Sequence, residues 1–170
     1  FDEEWYRGED IIDRAKEFIA IHGDRYVKEA PNIRQKALTD YALEKNIKLM
    51  KKTLSDYRIN FDVWFRESSL YNSNEIEETL NMLREKGFTY EKEGALWFKA
   101  SEDGEKDDVL VRANGVPTYF AADIAYHRNK FEKRGFDKVI DIWGADHHGH
   151  VARMKYAMEA LGINKDKLEV

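Results

Sequence analysis

The run Val139-Ile140-Asp141-Ile142-Trp143, followed by Gly144-Ala145-Asp146-His147-His148-Gly149-His150, sets the architecture of this chain. β-Branched and aromatic residues dominate its first five positions and a glycine stops it, which predicts a buried strand. Val151, Met154, Met158 and Leu161 then recur at helical spacing, and Gly162 supplies the C-terminal stop. Strand, polar turn and helix in this order are the edge of an open α/β sheet. Such sheets bind ligands at the carboxyl ends of their strands, where the Gly144–His150 turn falls.

Upstream, Ile11, Ala15, Phe18, Ile19 and His22 follow helical spacing up to Gly23. Pro31 opens a longer helix with Ile33, Ala37, Tyr41 and Leu49 among its apolar positions. Residues 60–65 end in Val63-Trp64-Phe65 and form a strand candidate. A helix is expected from Asn74 to Lys86, with Asn74 as N-cap and Gly87 as stop. Three short strands follow, Phe88 to Glu91, Leu96 to Lys99 and Val109 to Arg112, separated by Glu93-Gly94 and Glu102-Asp103-Gly104. They read as an antiparallel meander. After a turn at Asn114-Gly115, Thr118 caps a helix from Tyr119 to about Lys133. The first part of the chain is therefore α+β, the last part half of a parallel α/β unit, with a boundary near 112 to 117.

Apolar residues make up 42% of the 170, enough for a real core. A net charge of -5 argues against a basic nucleic-acid binder as a whole, although a local basic patch is compatible with it. The chain has no cysteine, hence neither disulfides nor a thiolate metal site, which suits a cytoplasmic protein. No apolar stretch approaches the roughly 20 residues of a transmembrane helix. Phe1-Asp2-Glu3-Glu4-Trp5 is no signal-peptide start, and the lack of an initial Met points to an internal piece of something longer.

The helix from Tyr119 carries two stripes. Phe120, Ile124, His127 and Phe131 form a core face, and Tyr119, Asp123, Tyr126 and Lys130 lie one position earlier at the same spacing. Tyr119 and Asp123 thus project together from the first turns. A carboxylate beside a phenol suits a planar cation, because the carboxylate can accept two guanidinium N–H bonds. A surface Asp with a half-buried Tyr is the competing reading. At the Gly144–His150 turn, glycine admits close approach of a ligand, and Asp146 and His147 offer an acceptor and a donor. Three readings stay open there: a ribose and amino-acid site, a metal site using Asp146, His148 and His150, or a solvated turn.

Several blocks together resemble the arginyl-tRNA synthetases, a class I aminoacyl-tRNA synthetase family. They are Thr118-Tyr119-Phe120-Ala121-Ala122-Asp123-Ile124-Ala125-Tyr126-His127, Ile142-Trp143-Gly144-Ala145-Asp146-His147-His148-Gly149-His150, and Asp62-Val63-Trp64-Phe65-Arg66-Glu67-Ser68-Ser69-Leu70-Tyr71. The resemblance covers most of the chain. It implies ATP-dependent activation of L-arginine, with Mg as the counter-ion of ATP and no prosthetic group, then transfer to the cognate tRNA. It implies a Rossmann-like nucleotide-binding domain with a connective insertion at 1–112 and the second-half portion of the catalytic domain at 113–170. Tyr119, Asp123 and His147 correspond to the arginine-binding set; Gly144, Asp146 and His147 correspond to the ATP and ribose end. His147-His148-Gly149-His150 matches the letters of the class I phosphate signature but follows the insertion rather than the first strand, so it is not read as that signature. Relatives often carry Tyr where His150 stands, which makes His150 the weakest member of the cluster. The phosphate-stabilising loops are expected elsewhere in a longer parent, leaving no catalytic residue in this chain and the chain inactive alone. Arg112, Lys130, Arg134 and Arg153 are candidate tRNA contacts, with a solvated face as the alternative.

Two rivals remain at this level. A metal phosphoesterase fits Asp146-His147-His148 by letters, but no upstream Asp-x-Asp accompanies it. A non-catalytic tRNA-docking module is the other.

Overall fold

A computed structural model describes residues 8–99 and 106–170. The expected turn at Glu102-Asp103-Gly104 lies outside the described residues. The chain divides into two compact units, residues 1–64 and 65–170.

The first unit holds two helices, α1 (Glu9–His22) and α2 (Pro31–Asp56). Gly23 takes a left-handed φ of 56° and returns its N–H to the Ile19 carbonyl at 2.7 Å, closing α1 as expected. Pro31 opens α2, where a missing N–H costs nothing. Phe18 is the buried side chain of this pair, ringed by His22, Tyr26 and Tyr41 at centroid distances of 4.4, 5.1 and 5.5 Å. The strand expected over residues 60–65 is not formed. Phe61 and Val63 are exposed, and Phe61 stands edge-on to Trp64 instead. A strand needs a neighbour for its backbone groups, and among the described residues none lies alongside.

The second unit begins with α3 (Ser68–Asn72), a short helix the periodicity did not announce, which buries Leu70. α4 (Glu75–Glu85) follows. Asn74 occupies its N-cap in the left-handed region, φ 66°, and makes no side-chain cap bond, contrary to the expected cap. The first turn is instead favoured by Glu75, Glu77 and Glu78 acting on the helix dipole. The meander is present: β1 (Thr89–Lys92), β2 (Ala95–Phe98) and β3 (Asp108–Val111), antiparallel in the order β1-β2-β3. Glu93 and Gly94 both take positive φ, 54° and 74°, the geometry of a tight two-residue hairpin.

Thr118 joins this sheet to α5 (Tyr119–Arg128). Its hydroxyl donates to the Val109 carbonyl at 2.7 Å and accepts the Ala121 N–H at 3.4 Å, so one side chain closes β3 and caps the helix. The helix continues through a π turn at Asn129–Lys133.

β4 is only Val139–Ile140, paired in parallel with β5 (Leu168–Glu169). The long buried strand expected through Trp143 is corrected to this short pair. Asp141 donates its N–H to the Glu169 carbonyl, and the chain then leaves the sheet, with Ile142 96% exposed. One two-residue neighbour cannot hold a five-residue strand, and no described element covers the outer face. A single 3-10 turn, Ala145–His147, leads into α6 (His148–Leu161), closed by Gly162 at φ 91°.

Leu70, Leu80, Leu83, Leu110, Ile124, Met154 and Met158 are fully buried in one core that draws on α3, α4, β3, α5 and α6. The meander and the two long helices of this unit are therefore packed together. The expected α/β class holds in its coarse form: helices with one antiparallel sheet and one parallel strand pair. No described helix is long and apolar enough to cross a membrane.

Candidate functional site

At the carboxyl end of β4 lies a cavity of about 380 Å³, within the size range of small-ligand pockets. α5 supplies one wall through Asp123, Tyr126 and His127, with Lys130 from the π turn. The segment after β4 supplies the other through Asp141, Trp143, Gly144 and His147, and α6 adds His150. The position agrees with the expectation for a sheet edge, and both expected blocks contribute.

The deepest polar groups form a brace. His127, 3% exposed, places Nε2 2.5 Å from Asp141 Oδ2 and Nδ1 2.7 Å from the Asp123 backbone carbonyl. Lys130 Nζ donates to the other Asp141 oxygen at 2.8 Å. Burial by itself raises the Asp141 pKa, but the bonds from His127 and Lys130 outweigh it and hold the carboxyl below its ordinary value. This brace ties the backbone of Asp123 on α5 to the chain just beyond β4. Tyr126, stacked on Phe65 at 4.4 Å, carries Lys130 over its ring at 4.5 Å.

Trp143 floors the cavity. Its ring lies 6.1 Å from His127, 6.3 Å from His147 and 5.2 Å from His150. Asp123 is half-exposed at the cavity mouth. Its Oδ2 takes the His150 Nε2 at 3.2 Å, and among the described residues Oδ1 has no partner. A carboxylate oxygen open to a cavity with aromatic walls can accept the N–H groups of a cationic ligand.

The other expected residues are placed differently. Tyr119 is 80% exposed and does not line the cavity. Asp146 also lies outside the lining, its carboxylate 3.6 Å from His147 Nε2 and folded over Gly144, where a Cβ would run into it. His147 is on the lining but exposed. His148 opens α6 and is exposed. Among the described residues no three His, Asp or Glu side chains gather to hold a metal ion, so the Asp146-His147-His148 letters have no converging geometry. Lys130 and Arg153, candidate tRNA contacts by sequence, are held in ion pairs within the chain, to Asp141 at 2.8 Å and to Asp108 at 2.6 Å.

Sequence reasoning missed the brace. Its signal was present: a histidine on the core face of α5 and an aspartate inside an apolar run are buried polar groups that need partners. It also ranked His150 last, whereas His150 is the residue that touches Asp123.

Comparison with known proteins bears on this arrangement. Residues 2–170 match the family described as tRNA synthetases class I (R), catalytic domain. A protein named arginine–tRNA ligase from Ruminiclostridium cellulolyticum is 62% identical over 171 residues, covering 100% of this chain and 30% of that protein. One of the same name from Caldanaerobacter subterraneus subsp. tengcongensis is 63% identical over 166 residues, 97% of this chain and 30% of its own length. The present chain thus spans about 30% of the curated relatives it matches. A Campylobacter jejuni crystal structure assigned as an arginyl-tRNA synthetase superposes with a TM-score of 0.87 at 43% identity, covering 99% of this chain and 36% of that one. A Plasmodium falciparum arginyl-tRNA synthetase superposes at 0.68 over 92% of this chain and 27% of its own, but at 15% identity it speaks only to the fold.

Proposed function

The chain belongs to the catalytic-domain family of the arginine-type class I tRNA synthetases, and from that premise we propose that it is part of an arginine–tRNA ligase. In the first step the carboxylate of L-arginine attacks the α-phosphorus of ATP, forming arginyl-adenylate and releasing pyrophosphate. In the second the terminal ribose hydroxyl of the tRNA attacks the acyl carbon and AMP leaves. ATP enters as a substrate with Mg as its counter-ion, and the reading puts the work in the cytoplasm, where charged tRNA is used.

The observation that carries this reading is the open Asp123 oxygen at the mouth of the β4-end cavity. Asp123 accepts the substrate guanidinium, Tyr119 closes over it from the preceding turn of α5, and His147 reaches the amino-acid backbone and the ribose side. Gly144 and Asp146 serve the adenosine ribose: the glycine lets the nucleotide approach the backbone, and the carboxylate swings off Gly144 to accept a hydroxyl. Residues 113–170 correspond to the beginning of the second half of a Rossmann-like domain and residues 1–112 to the connective insertion. The groups that stabilise the developing phosphate charge are assigned to the remainder of the longer protein, so the 170-residue chain alone is inactive.

Asp123→Ala in the full-length protein tests the assignment. Loss of the charge pair with the guanidinium is expected to weaken arginine binding by about 2–5 kcal/mol, read by calorimetric titration with lysine and citrulline as controls. Unchanged arginine affinity would remove Asp123 from the site. Arginine-dependent ATP–pyrophosphate exchange by the 170-residue chain would overturn the division of labour.

A further inference from the structure

His150 has no role in the reading above, yet both of its ring nitrogens have partners and its ring is largely enclosed. Its ring is 17% exposed, set between Phe120 at 5.3 Å and Trp143 at 5.2 Å. Nε2 lies 3.2 Å from Asp123 Oδ2, and Nδ1 lies 3.4 Å from a terminal nitrogen of Arg153. A guanidinium only donates. Nδ1 is therefore the acceptor, and the ring proton sits on Nε2, facing the carboxylate. Arg153 is itself fixed from three sides. It donates to Asp108 Oδ1 on β3 at 2.6 Å and to the Gly149 carbonyl at 3.2 Å, and it stands 5.7 Å over the Phe120 ring.

We propose that His150 is a positioning residue of the cation pocket: a neutral Nε2–H donor, its tautomer set by Arg153 and Asp108, that orients the Asp123 carboxylate while leaving its charge and its Oδ1 to the substrate guanidinium. The inference rests on the reading of Asp123 as the guanidinium acceptor. A half-exposed aspartate on the first turns of a helix has free rotamers, and a substrate that must freeze them binds more weakly. A lysine or arginine in this place would order the carboxylate too, but as a cation it would compete with the substrate. A neutral donor orders the carboxylate without that competition. The chain Asp108–Arg153–His150–Asp123 also connects the meander to the pocket, so β3 acts on substrate recognition through side chains alone.

The test is steady-state kinetics and arginine titration on the full-length protein carrying His150→Phe, His150→Gln or Arg153→Met. Phe keeps the ring and loses the donor; Gln restores a donor near the Nε2 position. A hydrogen bond to a charged group sets the scale: His150→Phe is expected to raise the arginine Kd and KM about tenfold, with kcat and the ATP KM within about twofold. His150→Gln is expected to recover most of that loss, and Arg153→Met to fall between. An unchanged arginine KM in His150→Phe, a parallel change in kcat and both KM values, or a Gln variant no better than Phe would each overturn the proposal. Asp123→Asn, measured alongside, separates the two levels. If it leaves the arginine KM unchanged, the reading of the site fails. If it raises KM while His150→Phe does not, only the role of His150 falls. When both hold, His150→Phe adds nothing further in the Asp123→Asn background.

Discussion

Helices α2 and α5 are opposite solutions to the same local problem. α2 runs for 26 residues without a buried side chain, whereas α5 buries six residues in ten. The surface of α2 is laced with pairs four residues apart, Lys36–Asp40, Lys48–Glu44 and Lys52–Asp56, each mostly exposed. Such pairs favour a helix slightly and can be exchanged for others. Three polar groups along α5 and its π turn have distant partners instead: His127 and Lys130 meet Asp141, and Asp123 meets His150. Local pairs cover the exposed surface of a helix, while α2 meets α1 through Tyr41 alongside Phe18 and Glu17. A site needs polar groups whose partners come from elsewhere in the chain.

The sharpest way to break the contrast is to cut the packing of α5. Ile124→Ala, at a position 1% exposed, is expected to cost about 3–4 kcal/mol in denaturant unfolding. The equivalent truncation on α2, Leu49→Ala at 59% exposure, belongs at the other end of the scale, within about 0.5 kcal/mol. Equal costs would erase the distinction.

Next in size is the brace. Asp141→Asn removes the charge that His127 and Lys130 face and is expected to cost about 3 kcal/mol near neutral pH. The pH dependence carries a sign. Asp141's carboxyl titrates below its ordinary value in the fold, because the His127 and Lys130 bonds outweigh the effect of burial. A group of this kind stabilises above its unfolded pKa of about 3.9 and loses that contribution as pH falls through the folded pKa. The gap between wild type and Asp141→Asn is therefore expected to be full at neutral pH and to narrow below about pH 4. A gap that widened on acidification would mean that the brace does not favour the ionised carboxylate.

A smaller effect tests the joint between sheet and helix. Thr118→Ala removes the cap of α5 and the bond to the Val109 carbonyl, an expected loss of about 1–2 kcal/mol. Thr118→Ser should recover most of it. Smallest of all, Lys48→Gln on α2 is expected to leave the unfolding midpoint unchanged within error, since its pair with Glu44 is solvated on both sides.

Much of the secondary structure was legible because its signals are local. Gly23, Pro31, Gly87, Gly94, Thr118 and Gly162 stand at turns or helix ends where backbone geometry asks for those residue types. The two strand errors share one cause. Residues 60–65 and Val139–Trp143 have strand composition, but a strand is completed by its neighbour, and the described chain offers none to the first and only β5 to the second. Asn74 looked like a side-chain cap and is a left-handed residue before an acidic turn. The two blocks that line the cavity were legible, and Asp123 is an accessible carboxylate there, while Tyr119 and Asp146 lie outside the lining of the cavity they were expected to share.

What the sequence determined by itself was the long helices, the meander, the stripe that α5 turns inward and the family motifs, because spacing along the chain settles periodicity and turn type. What the tertiary structure decided was the company each polar group keeps. Asp141 lies 14 positions from His127 and 11 from Lys130, and His150 lies 27 from Asp123. No local rule brings such residues within hydrogen-bond distance. They meet because burial of one apolar core fixes α5, β4 and α6 against one another, and the buried polar groups left between them must then satisfy each other.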